Sequence, residues 1–196
     1  MEEAATYLTR ATLLFAAVLA LACGGGRDPH QMAIEPEAPA VLVGETLVLS
    51  AHPQLDAAGD PEWEVQEHYG GGLLHSQGLR VTYVPPEIAG TYHLVLRTAD
   101  GGRVRKQVVE VRVLPNPVLE PVAPRLQPGG TVTFRARMRG LARDAAVWSV
   151  DEADGGEITA EGRYTAPRKP GIYHVTATAA ADPSAAARAT VTVAAD

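Results

Sequence analysis

The feature that most constrains the fold of this 196-residue chain is an internal repeat. The segment Val43–Ala51 matches Pro128–Ala136 at an offset of 85, and the same offset places Trp63 on Trp148. Further along the chain the offset falls to 81, so the first copy contains a loop that is four residues longer. A match that runs through a whole unit, with offset changes confined to loops, indicates two duplicated domains.

Each copy carries the pattern of short β-strands. In the second copy the residues at 132, 134, 136 and 138 are apolar and alternate with polar residues at 133, 135, 137 and 139. Alternation with period two is typical of strands that bury one face. Two prolines within residues 114–117 would end a strand and mark the seam between the copies. We therefore predict an all-β chain with two tandem sandwiches, at residues 38–114 and 116–194.

Two pairs of aromatic residues are predicted to form the structural core. Trp63 and Trp148 occupy equivalent positions on the third strand of each sandwich, where a large buried ring is needed. The chain has one cysteine, so no internal disulfide can support the core. Tyr92 and Tyr173 follow a glycine at equivalent strand starts, and we expect their hydroxyl groups to bond to nearby backbone.

The N-terminus has the pattern of an export signal. Residues 11–22 are uncharged, and their length suits the apolar region of a signal peptide better than a spanning helix of about 20 residues. Cys23 follows directly, before three glycines. We predict a signal peptide at 1–22 and a flexible tether at 23–37. The alternative is an ordinary signal peptide or N-terminal anchor in which Cys23 has no role.

Two bacterial families resemble parts of this sequence. Leu19–Cys23 resembles the lipobox of lipoproteins, which implies a lipid on the thiol of Cys23, cleavage just before it and a further acyl chain. Gly24, in place of an aspartate, implies an outer-membrane address. Five motifs of the second copy resemble, in family order, an immunoglobulin-like repeat of the Big type; they lie at 128–134, 147–150, 155–159, 162–167 and 170–177. This resemblance implies immunoglobulin-like Greek-key sandwiches of about seven strands.

A basic stripe is the candidate binding surface. Arg135, Arg137 and Arg139 lie on the outer face of one predicted strand. Fixed positive charge attracts anionic polysaccharide, lipopolysaccharide phosphate or an acidic protein. The alternative is a charged face that only prevents pairing with strands of other chains. The net charge of −6 argues against nucleic acid as a partner.

Residues of catalytic and metal-binding types form no recognisable motif. His93 and His174 lie at equivalent positions on the outer faces of different domains, and no HExxH or CxxC spacing occurs. The acidic run at 151–156 suits a calcium loop, but its counterpart in the first copy lacks most of the carboxylates, which favours a polar hairpin. No GxSxG elbow occurs. We predict a protein that is not an enzyme and has no metal or cofactor.

The sequence thus favours a binding role. The first hypothesis is a lipoprotein of the bacterial cell envelope, held in the membrane by the lipid on Cys23, whose modules bind or adhere to an envelope protein or polysaccharide. The second hypothesis is a structural accessory subunit that docks on another envelope or secretion complex by strand addition at a sheet edge.

Overall fold

The computed structural model describes residues 32–52, 61–100 and 103–195, which form strands, turns and loops without a helix. The predicted signal peptide, Cys23 and the tether up to residue 31 lie outside the described residues. The first eight strands are β1 (Ala33–Glu35), β2 (Ala40–Leu42), β3 (Leu47–His52), β4 (Glu62–Val65), β5 (Gly72–Leu74), β6 (Arg80–Val84), β7 (Gly90–Asp100) and β8 (Arg103–Leu114). The remaining strands are β9 (Asn116–Glu120), β10 (Arg125–Leu126), β11 (Thr131–Thr133), β12 (Arg135–Arg139), β13 (Ala146–Val150), β14 (Glu157–Ile158), β15 (Arg163–Thr165), β16 (Gly171–Ala179) and β17 (Ala186–Val193).

The first sandwich consists of two four-stranded sheets. One has the order β1-β3-β6-β5, and the other has the order β2-β8-β7-β4. All neighbouring strands are antiparallel except β2 and β8, which are parallel. The described part of the chain forms β1 in one sheet and crosses to the other sheet between β1 and β2. This is the strand order of a constant-type immunoglobulin fold with a divided first strand.

The second sandwich repeats this order with one difference. Its β10-β17-β16-β13 sheet matches β2-β8-β7-β4, including a parallel pair, here β10 with β17. The opposite layer is divided into β11-β15-β14 and β12-β9, because the strand that corresponds to β3 is interrupted at Phe134. The prediction of an all-β chain of tandem immunoglobulin-like sandwiches is therefore confirmed.

The first sandwich begins earlier than residue 38, which corrects the predicted tether of 23–37. Ala33–Glu35 forms β1 and pairs antiparallel with β3. Met32 and Ile34, on the inner side, are each only 8% exposed. The alternation of apolar and polar residues is present here, but it covers only one short strand before a proline, too short to indicate a strand by periodicity alone.

Each sandwich has its own hydrophobic core between its two sheets. The largest side chains that are completely buried are Tyr83 and Tyr164, which occupy equivalent positions in the two repeats. Each hydroxyl donates a hydrogen bond to a backbone carbonyl, from Tyr83 to Gly70 and from Tyr164 to Gly155. Burial raises the pKa of Tyr164 to about 12, so the phenol remains a neutral donor.

The two sandwiches touch at a short junction. Only Pro115 separates β8 from β9. The Ala89 amide donates to the Gly140 carbonyl at 2.8 Å, and the Asn116 side chain donates to the Val43 carbonyl at 3.0 Å. Gly140 has a φ of +91°, and a Cβ there would lie 3.0 Å from the Pro115 Cα atom, so glycine suits both the backbone and the close approach. The junction is therefore held by direct hydrogen bonds between the domains.

Candidate binding groove in the second sandwich

An open groove of about 400 Å³ lies at one side of the second sandwich, between β12 and β13. Phe134, Ala136 and Trp148 supply apolar surface, and charged side chains stand around it. The charged residues that line the groove are Arg135, Arg137, Asp144 and Glu161. A concave apolar surface with a few polar groups at its edge is the usual form of a small-ligand site.

The two equivalent tryptophans differ in environment. Trp63 is 2% exposed, and its Nε1 donates a hydrogen bond of 3.1 Å to the carbonyl of Gly78. Trp148 packs against Phe134 with ring centroids 6.4 Å apart but is only half-buried. Its indole N–H has no acceptor within the described residues. No described side-chain N or O atom is both buried and without a partner, so this N–H is not fully buried. The N–H of Trp148 therefore retains some exposure to solvent.

The loop-length difference between the repeats explains this contrast. In the first copy the segment between β5 and β6 covers Trp63: Gly78 accepts from its indole, and Ser76 accepts from its backbone amide at 2.7 Å. The second copy is four residues shorter in this region. There Gly162, with a φ of +81°, lies against one edge of the Trp148 ring, and the rest of the ring borders the groove.

The structure divides the predicted basic stripe. Arg135 and Arg137 are exposed, line the groove and form no ion pair with any described residue. Arg139 instead reaches the first sandwich, where its guanidinium lies over Gly44 and 3.9 Å from a carboxylate oxygen of Glu87. The three arginines therefore do not act as one surface, because the third contacts the other domain.

The acceptors of the groove already have partners in the chain. Asp144 Oδ1 accepts a 2.9 Å hydrogen bond from the Met138 amide. A hydrogen bond with the Thr159 side chain lowers the pKa of Glu161, which stays ionised at neutral pH. Among the described residues, the two guanidinium groups and the indole N–H have no partner, and each of the two exposed carboxylates keeps further acceptor positions.

The backbone of β12 adds one more group to the groove. The Phe134 amide donates to Gly162, and the Met138 amide donates to Asp144, so both point away from β9. In an extended strand amides two residues apart point to the same side. The backbone N–H and C=O of Ala136 therefore face the same free edge, between the two amides that are already hydrogen-bonded.

The repeated histidines each bind a carboxylate. His93 Nδ1 lies 2.6 Å from Glu67 Oε1 and His174 Nδ1 lies 2.6 Å from Glu152 Oε1; in both cases the other carboxylate oxygen accepts the histidine's own amide. Burial raises the pKa of Glu152, but the bonds from His174 outweigh it and lower that pKa overall. These pairs fix a loop to a strand and were not predicted from the sequence. The signal was present, because both members recur in both copies.

The acidic run at 151–156 is likewise occupied by its own neighbours. Asp151 accepts from the Thr176 hydroxyl at 2.8 Å and forms an ion pair of 2.7 Å with Arg188. Glu152 binds His174, as described above. Among residues 32–52, 61–100 and 103–195 no group of three or more His, Cys, Asp or Glu side chains is placed to hold a metal ion.

The four predicted core aromatics lie on the inner faces or edges of the sandwiches. Trp63 is buried, Tyr173 is 7% exposed, and Trp148 and Tyr92 are half-buried. The Tyr92 hydroxyl donates to the Ile88 carbonyl at 3.0 Å, and the Tyr173 hydroxyl donates to the Lys169 carbonyl at 2.9 Å. In the described part of the chain no helix has the length and apolar character to span a membrane.

Comparison with known proteins gives similarities of fold only. No family model and no curated protein matches the chain. Among solved structures, the insect immune protein hemolin is 16% identical, with a TM-score of 0.43, over 87% of this chain and 48% of its own. A C-terminal fragment of intimin, solved with the intimin-binding domain of its receptor Tir, is 13% identical, with a TM-score of 0.41, over 83% of this chain and 62% of its own. Invasin, a bacterial integrin-binding protein, is 12% identical, with a TM-score of 0.36, over 85% of this chain and 39% of its own.

The chain therefore spans about half the length of hemolin and less than two thirds of the intimin fragment. The strand order of both sandwiches defines the class: this is a protein of tandem immunoglobulin-like domains. Among the described residues, the two domains differ in the exposure of their equivalent tryptophans, since Trp63 is buried and Trp148 borders the groove.

Proposed function

We propose that this chain is a lipid-anchored binding protein of the bacterial cell envelope, in which two Big-type immunoglobulin-like modules engage a protein or glycan without catalysis. The observation that carries the binding role is the groove beside Trp148. Its Arg135, Arg137 and indole groups have no partner within the described chain, whereas the other clusters of polar side chains described above are internally paired. Polar groups without partners at a concave surface favour a ligand-binding role for that surface.

The anchor is supported by the sequence around Cys23. A lone cysteine directly after an apolar region of 12 residues matches the position of a lipid attachment site. A diacylglycerol group with an added acyl chain supplies enough apolar surface for stable anchoring, at about 0.8 kcal/mol for each buried CH₂ group. We place the lipid in the outer membrane because Gly24 follows the cysteine.

Mass spectrometry of the mature N-terminus tests the anchor. We expect Cys23 as the first residue, carrying the mass of a diacylglycerol and an acyl chain, and the Cys23→Ser variant should appear in the soluble fraction. Protease treatment of whole cells then decides whether the sandwiches face the outside. A mature protein that is unacylated and free in the medium would refute the proposed anchor.

Affinity capture from intact envelopes tests the binding role. The full chain is compared with a chain carrying Arg135→Gln and Arg137→Gln, and we expect the altered chain to lose captured material. Enrichment of glycan without a stoichiometric protein indicates adhesion to a glycan. A stoichiometric protein partner that both chains retain would instead indicate the accessory-subunit role, with contacts away from the groove.

A further inference from the structure

The groove of the second sandwich has a selective set of unused groups. Its free hydrogen-bonding groups include the guanidinium groups of Arg135 and Arg137 and the N–H of Trp148, all of which can only donate. The carboxylates of Asp144 and Glu161 already accept from the Met138 amide and the Thr159 side chain. Each of these exposed carboxylates keeps further acceptor positions, so a ligand that fits the groove brings an acceptor such as a carboxylate to the two arginines and hydroxyl donors to Asp144 and Glu161.

The groove also presents a flat apolar surface. The half-buried indole of Trp148 borders the cavity together with Ala136 and Ala146. The Trp148 ring packs against Phe134, and its partly exposed surface at the groove can contact a planar or nearly planar apolar face of a ligand. A bare phosphate ion would leave this surface unused, so the ligand combines an anionic group with a flat apolar face.

The free strand edge argues against a peptide as the ligand. A peptide that adds to a sheet edge depends on a series of main-chain hydrogen bonds. On the free edge of β12, the amides of Phe134 and Met138 are already bonded to Gly162 and Asp144, which leaves only the peptide group of Ala136 between them. One peptide group does not hold an added strand, whereas it can bond to one hydroxyl of a compact ligand.

From this inventory we propose that the Trp148 groove binds a carboxylated pyranose, that is, one uronic acid residue of an acidic polysaccharide. The apolar face of the sugar ring stacks on the indole, and the carboxylate forms ion pairs with the guanidinium groups of Arg135 and Arg137. Ring hydroxyl groups accept a hydrogen bond from the indole N–H and bond to the backbone of Ala136. This proposal deepens the proposed function, because it names the ligand class for the binding role.

Direct titration tests the proposal without reference to the membrane anchor. The full-length chain in detergent is titrated with oligogalacturonate, with a neutral cello-oligosaccharide of equal length and with dextran sulfate, and tryptophan fluorescence and calorimetry are recorded. We expect a change in emission and saturable binding with oligogalacturonate only, and weaker binding at high salt because the contacts to arginine are exposed. Equal binding of dextran sulfate would refute the proposal in favour of attraction by charge alone.

Substitutions identify the groove as the site. Arg135→Gln with Arg137→Gln should weaken oligogalacturonate binding by at least about tenfold, the loss expected for charge-assisted hydrogen bonds. Trp148→Phe keeps an aromatic ring, removes the N–H and should weaken binding by about three- to tenfold. The matched control, Arg125→Gln with Arg168→Gln, removes the same charge from exposed arginines of the same domain that do not line the groove.

The outcomes separate this proposal from the proposed function. If the control weakens binding as much as the groove variant, or if no oligogalacturonate binding occurs, the proposed site is wrong even when Cys23 is found acylated. If a peptide library binds the groove in place of the sugar, the ligand class is wrong. Binding as expected by a chain that is found unacylated would leave the groove assignment intact and refute the anchor.

Discussion

Replacing each of the two tryptophans by phenylalanine should have unequal effects, although the substitutions are chemically identical. At Trp63 the change removes a 3.1 Å hydrogen bond to Gly78 and part of a ring that is 2% exposed. The lost hydrogen bond costs about 1 kcal/mol, and the cavity left by the smaller ring costs about 1–2 kcal/mol. We therefore expect the free energy of unfolding to fall by about 2–3 kcal/mol.

At Trp148 the same substitution removes no hydrogen bond within the described chain. It removes only part of a ring that already borders the groove. We expect a loss below about 1 kcal/mol, because solvent fills the space that the smaller ring leaves. In a domain of about 80 residues, 1 kcal/mol shifts the melting temperature by about 4–8 °C. Trp63→Phe should therefore lower the melting temperature by about 8–24 °C and Trp148→Phe by less than about 8 °C.

Urea denaturation followed by far-ultraviolet circular dichroism measures both changes on one scale, and calorimetry gives the melting temperatures. A Trp148→Phe variant that loses as much stability as Trp63→Phe would refute the reasoning, because it would show that the Trp148 ring is enclosed like its counterpart. Acrylamide quenching provides an independent measurement: about half of the emission, from Trp148 alone, should be accessible to the quencher.

Three further predictions concern the second sandwich. Gly156→Ala should reduce stability by about 2–3 kcal/mol in urea denaturation, because φ is +95° and the added Cβ would lie 2.2 Å from the Thr165 carbonyl oxygen. Tyr164→Phe should cost about 1–2 kcal/mol by the same method, since a buried carbonyl loses its donor. The folded-state pKa of Glu152 is lowered, so the ionised carboxylate adds to the free energy of unfolding above the ordinary pKa of 4.5. This stabilisation is lost as the pH falls below that value. Glu152→Gln should flatten this acid-side loss in denaturation curves between about pH 6 and pH 3, and an unchanged slope would contradict the role of its bonds with His174.

The repeat carried most of the information about the fold. Because the offsets of 85 and 81 align whole units, the tandem arrangement of sandwiches followed from comparison within one chain. The boundary at residue 38 was wrong for β1, because a three-residue strand next to a proline has too few residues to show a period. That Ala33–Glu35 forms a strand is apparent only from its pairing with β3.

The sequence did not predict which aromatic residues are completely buried. Tyr83 and Tyr164 are fully buried. The position of a tyrosine in an alternating strand does not indicate whether its hydroxyl can donate a hydrogen bond to a carbonyl in the core, as both do here. Burial of that hydroxyl depends on the tertiary position of Gly70 and Gly155, which lie on a different loop.

The groove was predicted only in part. Alternation placed Arg135 and Arg137 correctly on an exposed strand face, but it also grouped Arg139 with them, because periodicity within a strand contains no information about a neighbouring domain. The openness of Trp148 depends on the length of a loop that is distant in sequence. The four-residue change in offset was visible, but its effect on the indole required the position of Gly78 against Trp63.

The parallel pairing of β2 with β8 and of β10 with β17 has a mechanical consequence. In each sandwich a strand near the entrance of the chain lies beside the strand by which the chain leaves, and the two run in the same direction. Tension applied to the two ends of a sandwich therefore pulls these strands along one another in opposite directions, so that their hydrogen bonds are loaded together in shear instead of opening one after another. With only Pro115 between the sandwiches, a pulling force passes from one module to the next without a slack linker.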